Sequence, residues 1–284
     1  MNMKTNEIFK YFSITLVNLW LTLFVISGLA IVFIISLLQK NSDSLLVMEF
    51  TLKNYLNLLD PIYLKVFARS GGMASLTTFI CFLIGYPCAY FLLQLPGLWK
   101  PLVRILLIIP FWTNSLIRSY AIIGILKAHG LLNHLLISLG IISRPLPLLF
   151  NNLAVLIGLV YNLLPFMIFP IYARLERLNP QLIHAARDLG ANPWVILRRI
   201  VIPLSLPGIT AGCLLVFLPA MTLFYIPDLL GGADSMLLGN LIQFQFSGAS
   251  NWPGGAATSI MLTLFLIIFI FINQITTSRT ELVL

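Results

Sequence analysis

The sequence predicts an all-α membrane protein of six transmembrane helices, and three observations carry that expectation. Of the 284 residues, 59% are hydrophobic and only 9% are charged, against about 45–50% and roughly 25% in soluble domains. The mean hydropathy of +0.98 leaves too little polar surface to cover a particle in water. Six apolar segments, each near the length of about 20 residues that a helix needs to cross a bilayer, fill most of the chain and leave no room for a separate catalytic domain. The net charge of +8, from 17 basic and 9 acidic residues, sits beside these segments and reads as a topology signal rather than a nucleic-acid surface.

The first segment, residues 14–38, is too long for a signal peptide's apolar region and has no small-residue cleavage site after it, so a retained anchor is expected. The others are 69–93, 102–126, 152–172, 204–227 and 254–274. An even number places both termini on one side. Lys4, Lys10, Lys100, Arg104, Arg174, Arg177, Arg187, Arg198, Arg199 and Arg279 fall on one face, and Lys40, Lys53, Lys65, Lys127 and Arg144 on the other. The richer face is expected to be cytoplasmic. Residues 1–13 and 276–284 then form cytoplasmic termini around a transmembrane domain of 14–275, with the 174–203 loop also inside.

Smaller features refine this plan. Between the first two spans, Leu52, Tyr55, Leu56 and Leu59 recur at helical spacing, which predicts a short amphipathic helix over 51–60. It either lies at the interface or packs on neighbouring elements. Pro87, Pro110, Pro165, Pro170, Pro219 and Pro227 interrupt backbone ladders in or beside spans, as packing kinks or as gating points. Gly208 and Gly212 form a small-xxx-small pair that lets another helix approach closely. Cys81, Cys88 and Cys213 lie in apolar stretches without metal-ligand spacing and are expected to be small buried hydrophobes.

The 174–203 loop is the most informative segment. Asn179-Pro180 supplies an N-cap and a first-turn proline, and Gly190 is placed to end that helix in a left-handed turn. Asn192-Pro193 repeats the start signal, and Pro203 is expected to stop the second helix. Leu182, Ala185, Ala186 and Leu189 share one side of the first helix, with Arg187 and Asp188 elsewhere. The alanines leave a shallow face, which suits insertion into another protein's groove or a resting place on the membrane surface.

The spacing of His184-Ala185-Ala186, Gly190, Ile200 and Pro203 resembles the EAA motif of ABC-importer permeases, E-A-A-x-x-x-G followed after nine residues by I-x-L-P. His184 stands where the motif has Glu, and Ile202 where it has Leu. An imidazole in place of a carboxylate changes the charge offered to a partner. The resemblance extends to PFWTNSLIRSY at 110–120, GLVYNLLPFMIFPIY at 158–172, AARDLGA at 185–191, PGITAGCLLVFLPAMTLFYIPDLLGGA at 207–233 and WPGGAATSI at 252–260. These blocks are similar to the B-type permease subunits of spermidine/putrescine ABC importers. The resemblance implies the type I importer fold and a bacterial inner-membrane location. It also implies a second, related permease as heterodimer partner, for which the Gly208–Gly212 pair is a candidate contact. The further partners are two cytoplasmic ATPases that bind ATP and Mg, and an extracytoplasmic polyamine-binding protein. This chain would carry no cofactor of its own. His184, Ala185, Ala186, Arg187, Asp188, Gly190 and Pro203 become the expected ATPase-coupling residues.

A polyamine is a flexible chain of ammonium groups, so its path needs carboxylates or carbonyls and aromatic faces. Asp228 is the notable acid near membrane depth, beside Tyr225 at the outer end of the fifth span, and Trp112, Asn114 and Tyr161 add polar and aromatic groups. Asp228 reads equally as a cap of the following loop helix or a contact to the binding protein, and the aromatics as packing or interface anchors. Arg118 is a poor ligand for a cation and is expected at the outer face, paired with an acid or the binding protein.

Other classes fare worse. No G-x-x-x-x-G-K-[ST] run is present, the three histidines lack H-E-x-x-H spacing, and no carboxylate pair stands out, so no enzymatic role is expected. The elbow alone also allows a permease for thiamine, a metal ion or an inorganic anion, while a channel-like subunit would lack it.

Overall fold

The computed structural model describes residues 3–40, 47–97, 99–232 and 235–281, with side chains described from residue 10 to residue 275 except 47, 104 and 111. Residues 1–2 and 282–284 of the expected termini and Ala233 of the 207–233 block lie outside the described residues, as do the side chains of Lys4, Arg104 and Arg279. The chain divides into two compact units, one of 1–61 with 242–265 and one of 62–241 with 266–284.

In the first unit, helix α1 (Met3–Ser36) is apolar on all sides and exposes most of its large side chains, as a helix solvated by lipid does. A two-stranded antiparallel ribbon, β1 (Leu38–Gln39) and β2 (Val47–Phe50), leads to α2 (Lys53–Asn57). The Asn54 amide donates to the Ser36 and Leu38 carbonyls at 2.8 Å each, and the Tyr55 and Ser36 hydroxyls meet at 2.6 Å. These bonds tie α2 to the end of α1. Leu52, Leu56 and Leu59 stay exposed while Leu58 is buried, so the apolar face faces outward as an interfacial helix requires.

The second unit holds α3 (Pro61–Gln94), α4 (Trp99–Trp112), α5 (Ser115–Leu126), α6 (Leu131–Ser138) and α7 (Asn152–Glu176). After these come α8 (Pro180–Asp188), α9 (Pro193–Ile196), α10 (Ile202–Thr222), α11 (Tyr225–Leu230) and the start of α12 (Leu238–Gln243). The last helix, α13 (Trp252–Glu281), contributes to both units. The core of the second unit lies between α7 and α10, where Leu159, Met167, Ile171, Val216 and Met221 are fully buried. Among the described residues, six helical segments are long and apolar enough to cross a membrane: Lys10–Ser36, Pro61–Gln94, Ser115–Ser138, Asn152–Glu176, Pro193–Thr222 and Trp252–Ile275.

Five expectations are corrected. The 102–126 span is not one helix: α4 ends at Trp112 and Asn114 restarts the chain as the N-cap of α5, so the third membrane-length segment is Ser115–Ser138, bent between α5 and α6. Pro110 in the last turn of α4 donates no hydrogen bond, which weakens that turn where the Asn114 cap can take over. Pro203 does not stop a helix. A π-helical turn at Leu197–Val201 lets the Ile202 N–H reach back to the Leu197 carbonyl, and this register shift passes the proline into a continuous α9–α10 segment. The fifth span ends at Thr222 rather than Pro227, because Leu223 turns extended and α11 begins as a separate helix. Cys88 is exposed on α3, so only Cys81 and, in part, Cys213 are buried.

Gly208 and Gly212 are both buried against this chain's own α7 rather than a partner. A Cβ on Gly208 would stand 2.7 Å from Arg174 Cβ and 2.8 Å from the Pro170 carbonyl, and one on Gly212 would stand 2.8 Å from Met167 Sδ. Backbone atoms cannot yield there, so Gly208→Val is expected to destabilise the helix pair by about 2 kcal/mol or more. Severalfold lower recovery of folded permease in fluorescence-detected chromatography is the check. Wild-type recovery would show that α10 can move away from α7.

Candidate functional site

The chain's candidate sites lie at the two ends of the α7–α10 pair. At the loop end, Asn179 Oδ1 accepts the Gln181 N–H at 3.0 Å and opens α8. The helix closes with the Gly190 N–H on the Arg187 carbonyl at 2.9 Å and the Ala191 N–H on the Ala186 carbonyl at 3.0 Å. That double bond pattern needs a left-handed residue, and Gly190 supplies it with φ +79°. Asn192 Oδ1 then accepts the Val195 N–H at 2.8 Å and starts α9.

The expected coupling face is turned outward. Leu189 is 88% exposed, Leu182, His184, Ala185 and Asp188 are exposed, and Ala186 is half-buried. Ile183 and Arg187 point to the other side, where they help line a cavity, and Pro203 sits half-buried in α10. One residue escaped the sequence reading: Arg174 Nε donates to the Leu204 carbonyl at 3.1 Å and ties the end of α7 to the start of α10. Its only sequence signal was membership in the basic cluster.

At the opposite end, α5 and α11 start side by side. Asn114 Oδ1 accepts the Leu116 N–H at 2.9 Å as the cap of α5, and the next residue, Ser115, accepts the Tyr225 hydroxyl at 2.8 Å. Asp228 lies one turn further along α11. It is exposed and is not the helix cap, which Phe224 provides without a side-chain bond. A cavity of about 290 Å³ opens beside it, lined by Asp228, Gly231, Ser235, Met236 and Asn240 among others. Asn240 donates from Nδ2 to the Phe224 carbonyl at 2.8 Å and thereby holds the break between α10 and α11. Its Oδ1 is enclosed with no hydrogen-bond partner among the described residues. Asp228 thus places an exposed carboxylate at the edge of one small space whose other lining residues carry no charge, which favours a cationic donor such as an ammonium group.

Asn114, Tyr225 and Asp228 are therefore brought to one end of the fold. Trp112, 85% exposed at the end of α4, and Tyr161, 52% exposed on α7, do not line the cavity. Ser115, Ser235 and Asn240 were not legible as site residues, because isolated Ser and Asn carry no motif. Arg118 is half-buried and its Nε is enclosed with no hydrogen-bond partner among the described residues. Tyr225→Phe removes only the bond to Ser115 and is expected to cost about 1 kcal/mol. A lowered melting temperature of the purified permease is the measurement, and an unchanged one would show that the bond is not a brace.

Residues 73–281 match the family model described as "Binding-protein-dependent transport system inner membrane component". The chain belongs to this family. As a binding-protein-dependent transport component it is a multi-pass inner-membrane permease subunit. It is 48% identical over 267 residues to the spermidine/putrescine transport system permease protein PotB of Escherichia coli strain K12, covering 93% of this chain and 97% of that one. With the protein of the same name from Haemophilus influenzae it shares 43% identity over 281 residues and 98% of each chain. A solved bacterial ABC transporter for the acidic polysaccharide alginate contains a chain that superposes with a TM-score of 0.77 at 13% identity, covering 97% of this chain and 96% of that one. At that identity the likeness concerns the fold, which is the importer permease fold.

Proposed function

We propose that this permease forms one half of the translocation path of an ATP-driven importer for polyamines, spermidine and putrescine. The observation that carries the reading is the 48% identity, over nearly the full length of both chains, to the Escherichia coli PotB permease. The exposed Asp228 carboxylate beside an otherwise uncharged cavity supports it independently, since it suits an ammonium group. A related permease would supply the other half. The 26% identity to the spermidine/putrescine permease protein PotC of Escherichia coli is what two homologous halves would produce. Two cytoplasmic ATPases, binding ATP and Mg, would dock on the outward face of α8, and an extracytoplasmic binding protein would deliver the polyamine to the α5–α11 end. Both termini and the α8 loop lie in the cytoplasm on this reading.

The mechanism is alternating access. Closure of the ATPases on ATP moves α8, and the continuous α9–α10 segment transmits that movement toward α11. The pair then opens outward to receive solute, and hydrolysis resets the inward-open state. The test is uptake of labelled spermidine and putrescine by cells with and without this gene, with unlabelled phosphate, thiamine and amino acids as competitors. Loss of uptake on deletion, competed only by polyamines, is expected. Uptake that persists in cells with no second polyamine importer would refute the substrate class.

A further inference from the structure

Behind α8 the chain encloses a second cavity, of about 470 Å³, which includes Tyr90, Gln94, Lys100, Leu175, Ile183 and Arg187 in its wall. The remaining wall is aliphatic or proline, and no carboxylate of the described residues borders it. Asp188, next to Arg187, points elsewhere, and Glu176 accepts the Tyr172 hydroxyl at 3.1 Å. Two cations therefore share one partly enclosed space without a countercharge from the lining. Lys100 is half-buried and Arg187 exposed at the cavity's edge, so an anion held in the space would be attracted by both. One part of the wall is cationic with an amide and a phenol, and the rest is apolar, so the fitting occupant is an amphiphile with an anionic head.

The cavity lies where α3 and α7 end and α4 begins, the cytoplasmic membrane face in the orientation proposed above. Trp99, exposed beside Lys100, is the residue type that sits at headgroup level. The cytoplasmic leaflet carries the negative lipids of the membrane, and basic pockets between helices on that side hold their head groups. We propose that this cavity binds the phosphate of an anionic phospholipid such as phosphatidylglycerol. Lys100 and Arg187 neutralise the phosphate, and Leu175 and Ile183 cover the glycerol and upper acyl carbons. A soluble phosphate ester shares the head-group chemistry but leaves the apolar wall uncovered. Arg187 and Ile183 belong to α8, Lys100 to α4 and Gln94 to α3. The lipid would thus fasten the coupling helix to the membrane-spanning helices and make coupling depend on membrane composition.

The proposal rests on the orientation proposed above for its membrane face and on the proposed assembly for its consequence, so binding is read separately from ATPase activity. The first measurement is phosphatidylglycerol retained by the detergent-purified permease complex, weighed by native mass spectrometry. Lys100→Gln is expected to retain about fivefold less, the effect of removing one basic residue at an anionic surface, and Lys100→Arg to retain the wild-type amount. Equal retention by wild type and Lys100→Gln would overturn the site. The second measurement is binding-protein-stimulated ATPase activity of the whole complex in phosphatidylcholine nanodiscs with and without phosphatidylglycerol. Stimulation by phosphatidylglycerol that is weakened in Lys100→Gln supports the proposal. The same stimulation by glycerol phosphate in pure phosphatidylcholine would overturn the lipid assignment in favour of a soluble ester. Loss of the ATPase from the Lys100→Gln complex to the same degree in both lipids would assign the cavity to a residue of the ATPase instead.

Discussion

Asp228→Asn is expected to lower polyamine uptake by tenfold to a hundredfold without reducing the amount of permease in the membrane. The substitution keeps shape and removes one charge, so it tests the electrostatic part of the site alone. Asp228 is exposed on α11 and is not the cap of that helix, so the fold does not depend on its carboxylate. A charge-assisted hydrogen bond contributes about 1.5–3 kcal/mol, which sets the expected range. Neighbouring Asn240 is a poorer test, because its amide also holds the Phe224 carbonyl and any change there disturbs the α10–α11 break. The measurement is the concentration dependence of labelled spermidine uptake, with surface amount read by blotting. Unchanged uptake would remove Asp228 from the path, leaving the family assignment intact and the entry site elsewhere.

The contrast between the two ends of the fold explains what the sequence could disclose. The fold of the α8–α9 elbow was legible because its turns are local: Asn179-Pro180, Gly190 and Asn192-Pro193 cap and start helices through contacts within a few residues. Composition and segment length made the membrane spans legible in the same way. The opposite end was legible only in part. Asp228 stood out as a lone acid, but its neighbours Ser235 and Asn240 and the Tyr225–Ser115 bond, which joins residues 110 apart, depend on how α5, α11 and α12 meet. The Pro203 expectation failed for a related reason. Proline normally ends a helix by removing one bond and crowding the preceding turn, yet a π-helical turn relieves both, and nothing in a single sequence announces such a turn. The glycine pair was recognised as a close-approach surface, but spacing alone does not say whether the approaching helix comes from the same chain, and here it is α7.

Gly190→Val is expected to abolish most coupled transport while the membrane-spanning helices stay folded. With φ +79°, Gly190 occupies a conformation that costs an L-residue roughly 1–2 kcal/mol and a β-branched one more. A Cβ there would meet nothing within 4 Å of the chain itself, so the variant creates no internal clash and its whole effect falls on the turn. That turn matters because α8 has only nine residues, too few to hold direction alone, and takes its orientation from the caps at its two ends. Losing the left-handed turn lets α8 rotate, and the Leu182, Ala185 and Leu189 face would no longer meet the ATPase groove proposed for it. A graded series separates this cause from a simple steric one. Gly190→Asn, which tolerates the left-handed region, should keep most uptake, Gly190→Ala should lose part of it, and Gly190→Val should fall more than tenfold together with the ATPase that copurifies. Equal behaviour of all three, with normal ATPase recovery and normal transport, would mean that α8 is not the coupling element.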